Sequence, residues 1–117
     1  MTMLRLTIKL TVRPGKGAAF RDVIAQMSTI VRDRDPGTLI YECYLAADGS
    51  SAFLHEHYAD NAAFLAHCAN TGHLFSPLFE TAEFGETTIA GAPSDEIRAM
   101  LSGDGEGHGG RLFYAPL

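Results

Sequence analysis

The sequence predicts a single α+β domain with ferredoxin-like βαββαβ order, in which two helices cover one face of a four-stranded antiparallel sheet. Three observations carry this prediction. Residues 4–12 alternate apolar and polar side chains, a stretch with apolar residues at helical spacing follows, and Asp48-Gly49 is a hairpin signal between two segments rich in β-branched and aromatic residues.

The first strand keeps Leu4, Leu6, Ile8, Leu10 and Val12 on one side and Arg5, Thr7, Lys9 and Thr11 on the other, and Arg13-Pro14-Gly15 ends it. Phe20, Val23, Ile24, Met27, Ile30 and Val31 then form a helical stripe that stops before Asp35-Pro36-Gly37. Thr38 to Ala46 and Ala52 to Tyr58 read as antiparallel neighbours. Asp60 is placed to cap a second helix from Asn61 to about Ala69. Gly72 interrupts that helix, and Ser76-Pro77 restarts a turn or two with Phe75, Leu78, Phe79 and Ala82 at helical spacing. Phe84 to Ala90 is the fourth strand, and right-handed crossovers place both helices on the same face. Residues 1–91 thus form the domain and residues 92–117 an extension. The extension holds a short helix from Ser94 through Leu101, a Gly-rich segment from Gly103 to Gly110, and a short final strand at Leu112 to Ala115. The Gly content favours a frayed segment. The apolar ending argues instead for docking, with a partner chain as one place for it.

At 117 residues and 46% hydrophobic content the chain can bury one core without staples. Fourteen acidic against nine basic side chains leave a formal charge of -5, with no Lys/Arg stripe to track phosphates, so nucleic acid is not an expected partner. No segment approaches the roughly 20 apolar residues of a membrane span, and the N-terminus lacks the apolar run of a signal peptide. A cytoplasmic protein with no membrane partner is expected. Cys43 and Cys68 lack C-x-x-C spacing and read as buried, reduced thiols.

If Asp48 and Gly49 form the tip of the hairpin, Tyr44 lies opposite Phe53, Glu42 opposite His55 and Ile40 opposite His57. The other face then carries Leu39, Tyr41, Cys43 and Leu45 with Leu54, Glu56 and Tyr58; it is the more apolar and is assigned to the helices. A four-residue loop preserves this parity, whereas a three- or five-residue loop exchanges the faces of one strand. The outer face still holds Ile40, Tyr44 and Phe53 beside Glu42, His55, His57, Thr7 and Lys9. A homodimer that buries it is the simplest remedy.

Alternation along Phe53-Leu54-His55-Glu56-His57-Tyr58 points Glu56 with Tyr58 and His55 with His57. Desolvation of an inward Glu56 raises its pKa and prepares a proton acceptor for a phenolic substrate; a structural carboxylate satisfied by a tyrosine hydroxyl has equal weight. His55 and His57, joined by Glu42, lack further ligands at a diagnostic spacing, so no metal is expected. His67, on the flank of the second helix that overhangs the sheet, is the better pocket residue, with His73 at the pocket's mouth. The one G-x-G-x-x-G match, Gly105 to Gly110, falls in the low-complexity Gly-rich segment without a strand-to-helix setting, and no G-x-x-x-x-G-K-[ST] is present, so no nucleotide cofactor is expected.

Over Leu4 to Ala90 these elements resemble the antibiotic biosynthesis monooxygenase domain, a branch of the dimeric α/β-barrel superfamily. The resemblance rests on Arg13-Pro14-Gly15-Lys16, on Asp35 through Glu42, on Glu56-His57-Tyr58-Ala59-Asp60, and on Ala63, His67 and His73. It implies a homodimer whose sheets close into a shared barrel, with a pocket between each sheet and its helices. Some such proteins oxygenate phenols or quinols without flavin or metal: the protein helps to deprotonate the substrate, and the electron-rich anion reacts with oxygen. The chain has no tryptophan and no asparagine in its first strand, residues that haem-degrading members use, and so points away from haem chemistry. The resemblance carries a pocket role onto Glu56, Tyr58 and His67. The expected function is therefore a cofactor-independent monooxygenase acting on a hydroxylated aromatic or quinol-like compound. Glu56, His67 and Tyr58 are the expected catalytic residues, and Tyr41, Leu54, Phe64, His73, Phe75 and Phe79 the substrate-binding ones. The alternative is a non-enzymatic dimeric module that binds a small ligand.

Overall fold

A computed structural model describes residues 3–101 and 110–117. Strand β1 (Leu4–Val12) lies at the centre of the sheet, because its apolar face and its middle position in the topology let it pair on both sides. Helix α1 (Gly17–Arg34) buries Phe20, Val23 and Met27 of the expected stripe. It crosses to β2 (Thr38–Leu45), which turns into β3 (Ser51–Tyr58). Helix α2 (Asn61–Thr71) follows, then a 3-10 turn over Gly72–Leu74, helix α3 (Phe75–Thr81) and β4 (Ala82–Gly91). The extension adds α4 (Asp95–Leu101) and β5 (Arg111–Tyr114). The order β2-β3-β1-β4-β5 makes five strands where four were expected.

The fifth strand is the principal correction. Along β4 it pairs in parallel, with Thr87 opposite Arg111 and Ile89 opposite Phe113. Parallel neighbours cannot be joined by a hairpin, and α4 supplies part of the crossover. Gly91 makes the exit from β4 with φ of 125°, a conformation that side chains rarely adopt, and its Cα faces the Met3 carbonyl too closely for a Cβ. The Asn61 side chain accepts from the Ser94 amide at 3.1 Å, Ser94 Oγ accepts from the Ile97 amide at 3.3 Å, and Ile97 is fully buried. Arg98 lies 4.6 Å above the Phe113 ring, binding α4 to β5. The Gly-rich segment lies, but for Gly110, outside the described residues.

The hairpin follows the expected register. Tyr44 faces Phe53, Glu42 faces His55, and Tyr41 faces Glu56. The Ala46 amide donates to the Ser51 carbonyl at 2.8 Å, closing a loop over residues 47–50 whose even length preserves the parity. Asp48 fastens the tip by accepting from the Ser50 amide and hydroxyl at 3.0 and 2.7 Å. One residue departs from the expectation. The register shifts between Thr38 and Ile40, which turns Leu39 out to 54% exposure instead of onto the helix face. Cys43 and Cys68 are free thiols, half-buried and not fully enclosed. No helix among the described residues is long and apolar enough to cross a membrane.

Candidate active site

Between the sheet and its helices lies a cavity of about 210 Å³. Its floor is Leu6 and Ile8 of β1 and Leu54 of β3, all inward positions of the alternating pattern. Met27 enters from α1, and Phe64 and Cys68 from α2. The α3 residues Phe75, Leu78 and Phe79 close a second side, and Phe79 stacks at a tilt on Phe84 of β4, 4.9 Å between centroids. Each helix contributes because its apolar stripe faces the sheet. Such a lining removes water and favours a flat, apolar guest.

One end of the cavity is polar. Glu56 is 5% exposed, and burial pushes its carboxyl pKa upward against the opposing pull of His67, Tyr58 and His55. Tyr58, fully buried, donates its hydroxyl to Glu56 Oε1. Burial, aided by the Glu56 charge, also holds the Tyr58 and Tyr41 hydroxyls well above the ordinary phenol range, so both remain donors. The Tyr41 hydroxyl donates a hydrogen bond to Met27 Sδ at 3.2 Å, which aims its ring at His67, 5.5 Å away. Cys68, desolvated and near Glu56 and Asp35, is pushed up to about 11 and stays a thiol.

His67 joins this end to a second carboxylate. Its Nδ1 lies 2.7 Å from Asp35 Oδ2, with both side chains buried, and its Nε2 lies 4.0 Å from Glu56 Oε1. A carboxylate can only accept, so Nδ1 donates the hydrogen, and in the neutral ring Nε2 then carries the lone pair on the side of Glu56. Asp35 is itself fixed: Asn70 Nδ2 donates to its Oδ1, while its backbone amide caps α1 on the Val31 carbonyl at 3.1 Å. At 4.0 Å, His67 and Glu56 are neighbours beyond hydrogen-bond range, two acceptors flanking one spot. The constellation can receive a proton from a guest, with Asp35 balancing the charge that forms on His67 and Tyr58 holding Glu56 by its hydrogen bond.

The sequence pattern of the antibiotic biosynthesis monooxygenases matches residues 3–74. The chain belongs to that family. A search of curated proteins finds no match. Among solved structures the fold is similar to that of MupZ from Pseudomonas fluorescens, with a TM-score of 0.82 at 19% identity, covering 100% of this chain and 92% of that one. It is similar to SnoaB, a cofactor-independent oxygenase from Streptomyces nogalater, with a TM-score of 0.66 at 20% identity, over 80% of this chain and 96% of that one. Rv0793 from Mycobacterium tuberculosis gives a TM-score of 0.67 at 23% identity, over 80% and 97%. At these identities the likeness is one of fold.

Within this monooxygenase-family domain, Glu56, His67, Tyr41 and Leu54 meet in the cavity, as do Phe64, Phe75 and Phe79. Tyr58 stands behind Glu56 and reaches the cavity only through that carboxylate. His73 does not join them. It is exposed on the 3-10 turn, where Leu74 takes the inward position, and the half-exposed Met100 and Phe79 stand at the mouth instead. His55 and His57 share the opposite face, their rings 4.8 Å apart, with Thr7 Oγ1 3.2 Å from His55 Nδ1. Among the described residues no group of three or more His, Cys, Asp and Glu is arranged to hold a metal ion. Sequence reasoning missed Asp35 as a site residue, having taken it as part of a helix-breaking turn and of a stretch that carries the family resemblance. It also missed the wall contributed by Met100, Leu101 and Arg111.

Proposed function

We propose that this domain is a cofactor-independent oxygenase of a hydroxylated aromatic or quinol-like molecule, with His67 as the acceptor of the substrate's hydroxyl proton. The observation that supports it is the buried Asp35–His67 hydrogen bond of 2.7 Å behind a largely apolar cavity. Asp35 orients the ring and balances the imidazolium that forms. Glu56, held by Tyr58, is the second proton site and takes part in protonating the oxygenated intermediate. Loss of the hydroxyl proton leaves an electron-rich anion that passes one electron to molecular oxygen. Superoxide then joins the substrate radical at a ring carbon bearing hydrogen, and the hydroperoxide loses water to leave a carbonyl. One oxygen atom enters the product and the other leaves as water. The cavity exceeds the roughly 150 Å³ that encloses a benzene, which suits one or two fused rings.

We also propose that the outer face pairs two copies of the chain. Tyr44 and Phe53 stack there at 5.1 Å while 48% and 42% exposed, a costly apolar patch for a solitary sheet. The reaction belongs to the cytoplasm, where the two free thiols stay reduced.

Oxygen uptake with dihydroxynaphthalenes and anthrones tests the reading. His67→Ala is expected to slow uptake by about 10²- to 10⁴-fold, the usual worth of a positioned base, and Glu56→Gln to slow it less. Unchanged rates in both variants would overturn the site. No uptake by the parent protein, with the compounds still bound, would favour a dimeric ligand-binding module.

A further inference from the structure

Two rows of inward side chains cross the sheet from β3 to β5. One runs Glu56, Leu6, Ile89, Phe113, and the other Leu54, Ile8, Thr87, Arg111. At its far end the first row is covered by α4: Arg98 stands 4.6 Å above the Phe113 ring, and Ile97 and Ile89 are buried. The second row stays open to the cavity along its whole length, since all four of its residues belong to the lining, whereas Ile89 and Phe113 do not. A guest whose hydroxyl meets His67 and Glu56 therefore extends obliquely, across Leu6 and Ile8 toward Thr87.

That direction ends on the last turn of α4. Leu101, half-buried against the core, and Met100, half-exposed at the mouth, both line the cavity there. The wall they form is fastened at three points: Asn61 accepts from the Ser94 amide just before α4, Ile97 is fully buried in the middle of the helix, and Arg111 Nε donates to the Leu101 carbonyl at 2.6 Å. A close-packed helix held in this way yields little to an oversized guest. It also lies outside residues 3–74, the part of the chain that the family pattern matches.

We propose that Leu101, with Met100 beside it, is the size-determining residue of the cavity, and that the chain takes hydroxylated aromatics of at most two fused rings and turns away linear three-ring compounds. The assignment rests on the reading of this cavity as the reaction site. It gives the extension a purpose: α4 and β5 shut a cavity that the first four strands and their helices leave open on that side, and about 210 Å³ is what remains. Burial alone makes each added ring bind more tightly, so a preference for the smaller of two homologous guests is the signature of a wall.

Fluorescence titration of the full chain under nitrogen with catechol, 2-naphthol and 2-hydroxyanthracene tests the proposal. The parent protein is expected to bind the naphthol at least about tenfold more tightly than the anthracene, the scale of a steric misfit in an apolar pocket. Leu101→Ala should tighten the anthracene by about tenfold and move the naphthol by less than about threefold, which also reports an intact cavity. Leu101→Trp should weaken the naphthol and spare catechol. A parent protein that binds the anthracene as tightly as the naphthol overturns the proposal without need of any variant, as does a preference that survives Leu101→Ala. Should Leu101→Ala bind neither compound, Leu101→Trp decides, and an unchanged naphthol affinity there overturns the proposal. Oxygen uptake reports separately on the chemistry. Bound two-ring compounds that consume no oxygen argue against the oxygenase reading and leave the wall standing; uptake with dihydroxynaphthalenes and anthrones alike does the reverse.

Discussion

The two faces of β3 carry the same chemistry in opposite surroundings. Glu56 and Tyr58 point toward the helices and are buried; His55 and His57, one residue away, point outward and are half-buried. On the inner face, burial drives the Glu56 pKa up, and the tyrosine hydroxyl becomes its fixed donor. On the outer face, burial together with Arg5 and His55 lowers the pKa of His57, which carries a neutral ring into the working pH range. Two adjacent histidines are therefore less promising than one histidine with a buried carboxylate behind it. What separates them is the second hydrogen bond: His67 has Asp35, and His55 has a threonine hydroxyl.

The contrast is broken most sharply by exchanging partners. Asp35→Asn keeps the shape but presents an amide where Nδ1 needs an acceptor, and losses of about 10- to 100-fold are typical when such an orienting partner goes. Oxygen uptake by this variant is expected to fall into that range, whereas His55→Ala with His57→Ala should stay within about threefold, the inner residues being untouched. A double variant as slow as Asp35→Asn would move the reaction to the outer face.

A smaller effect is expected from the outer face itself. Phe53→Asp places a charge in the stacked pair with Tyr44 and opposite no buried residue of its own chain. Sedimentation at micromolar concentration should show the parent as a dimer and this variant shifted toward monomer, with uptake per chain reduced less than for Asp35→Asn. A parent protein that sediments as a monomer would remove the outer face from the account.

The inner and outer sets were legible because β alternation and an even hairpin loop determine them locally: once Tyr44 meets Phe53, Tyr41 must meet Glu56. Asp60 likewise announces α2, and its side chain accepts from the Ala63 amide at 2.8 Å. Asp35 was not legible as a site residue, since its role depends on His67, 32 positions later, and its own neighbourhood spells only a turn. His73 was expected at the pocket's mouth, but beyond Gly72 the backbone tightens into a 3-10 turn in which Leu74, and not His73, takes the inward position. For β5 the segment was legible but its neighbour was not: a parallel partner is chosen by the crossover, and periodicity within four residues says nothing of it.

The smallest effect sharpens the comparison from the side of stability. Burial raises the Glu56 pKa above the ordinary carboxylate range, so there is a pH window in which the folded chain holds a proton that the unfolded chain has released. Folding takes up a proton throughout that window, and stability falls as pH rises across it. Below the ordinary range both states are protonated and no loss is felt; above the raised value both are ionised and the loss is complete. Glu56→Gln keeps an acceptor for Tyr58 and has nothing to ionise. The melting temperature of the parent minus that of the variant is therefore expected to decline as pH climbs out of the ordinary carboxylate range, then to level off. His55→Gln on the outer face should not reproduce that decline, because no buried carboxyl is removed. A difference for Glu56→Gln that stays flat, or grows with pH, would mean that the hydrogen bond from Tyr58 and the pull of His67 outweigh desolvation, and Glu56 would then be an ordinary ionised carboxylate at the cavity wall.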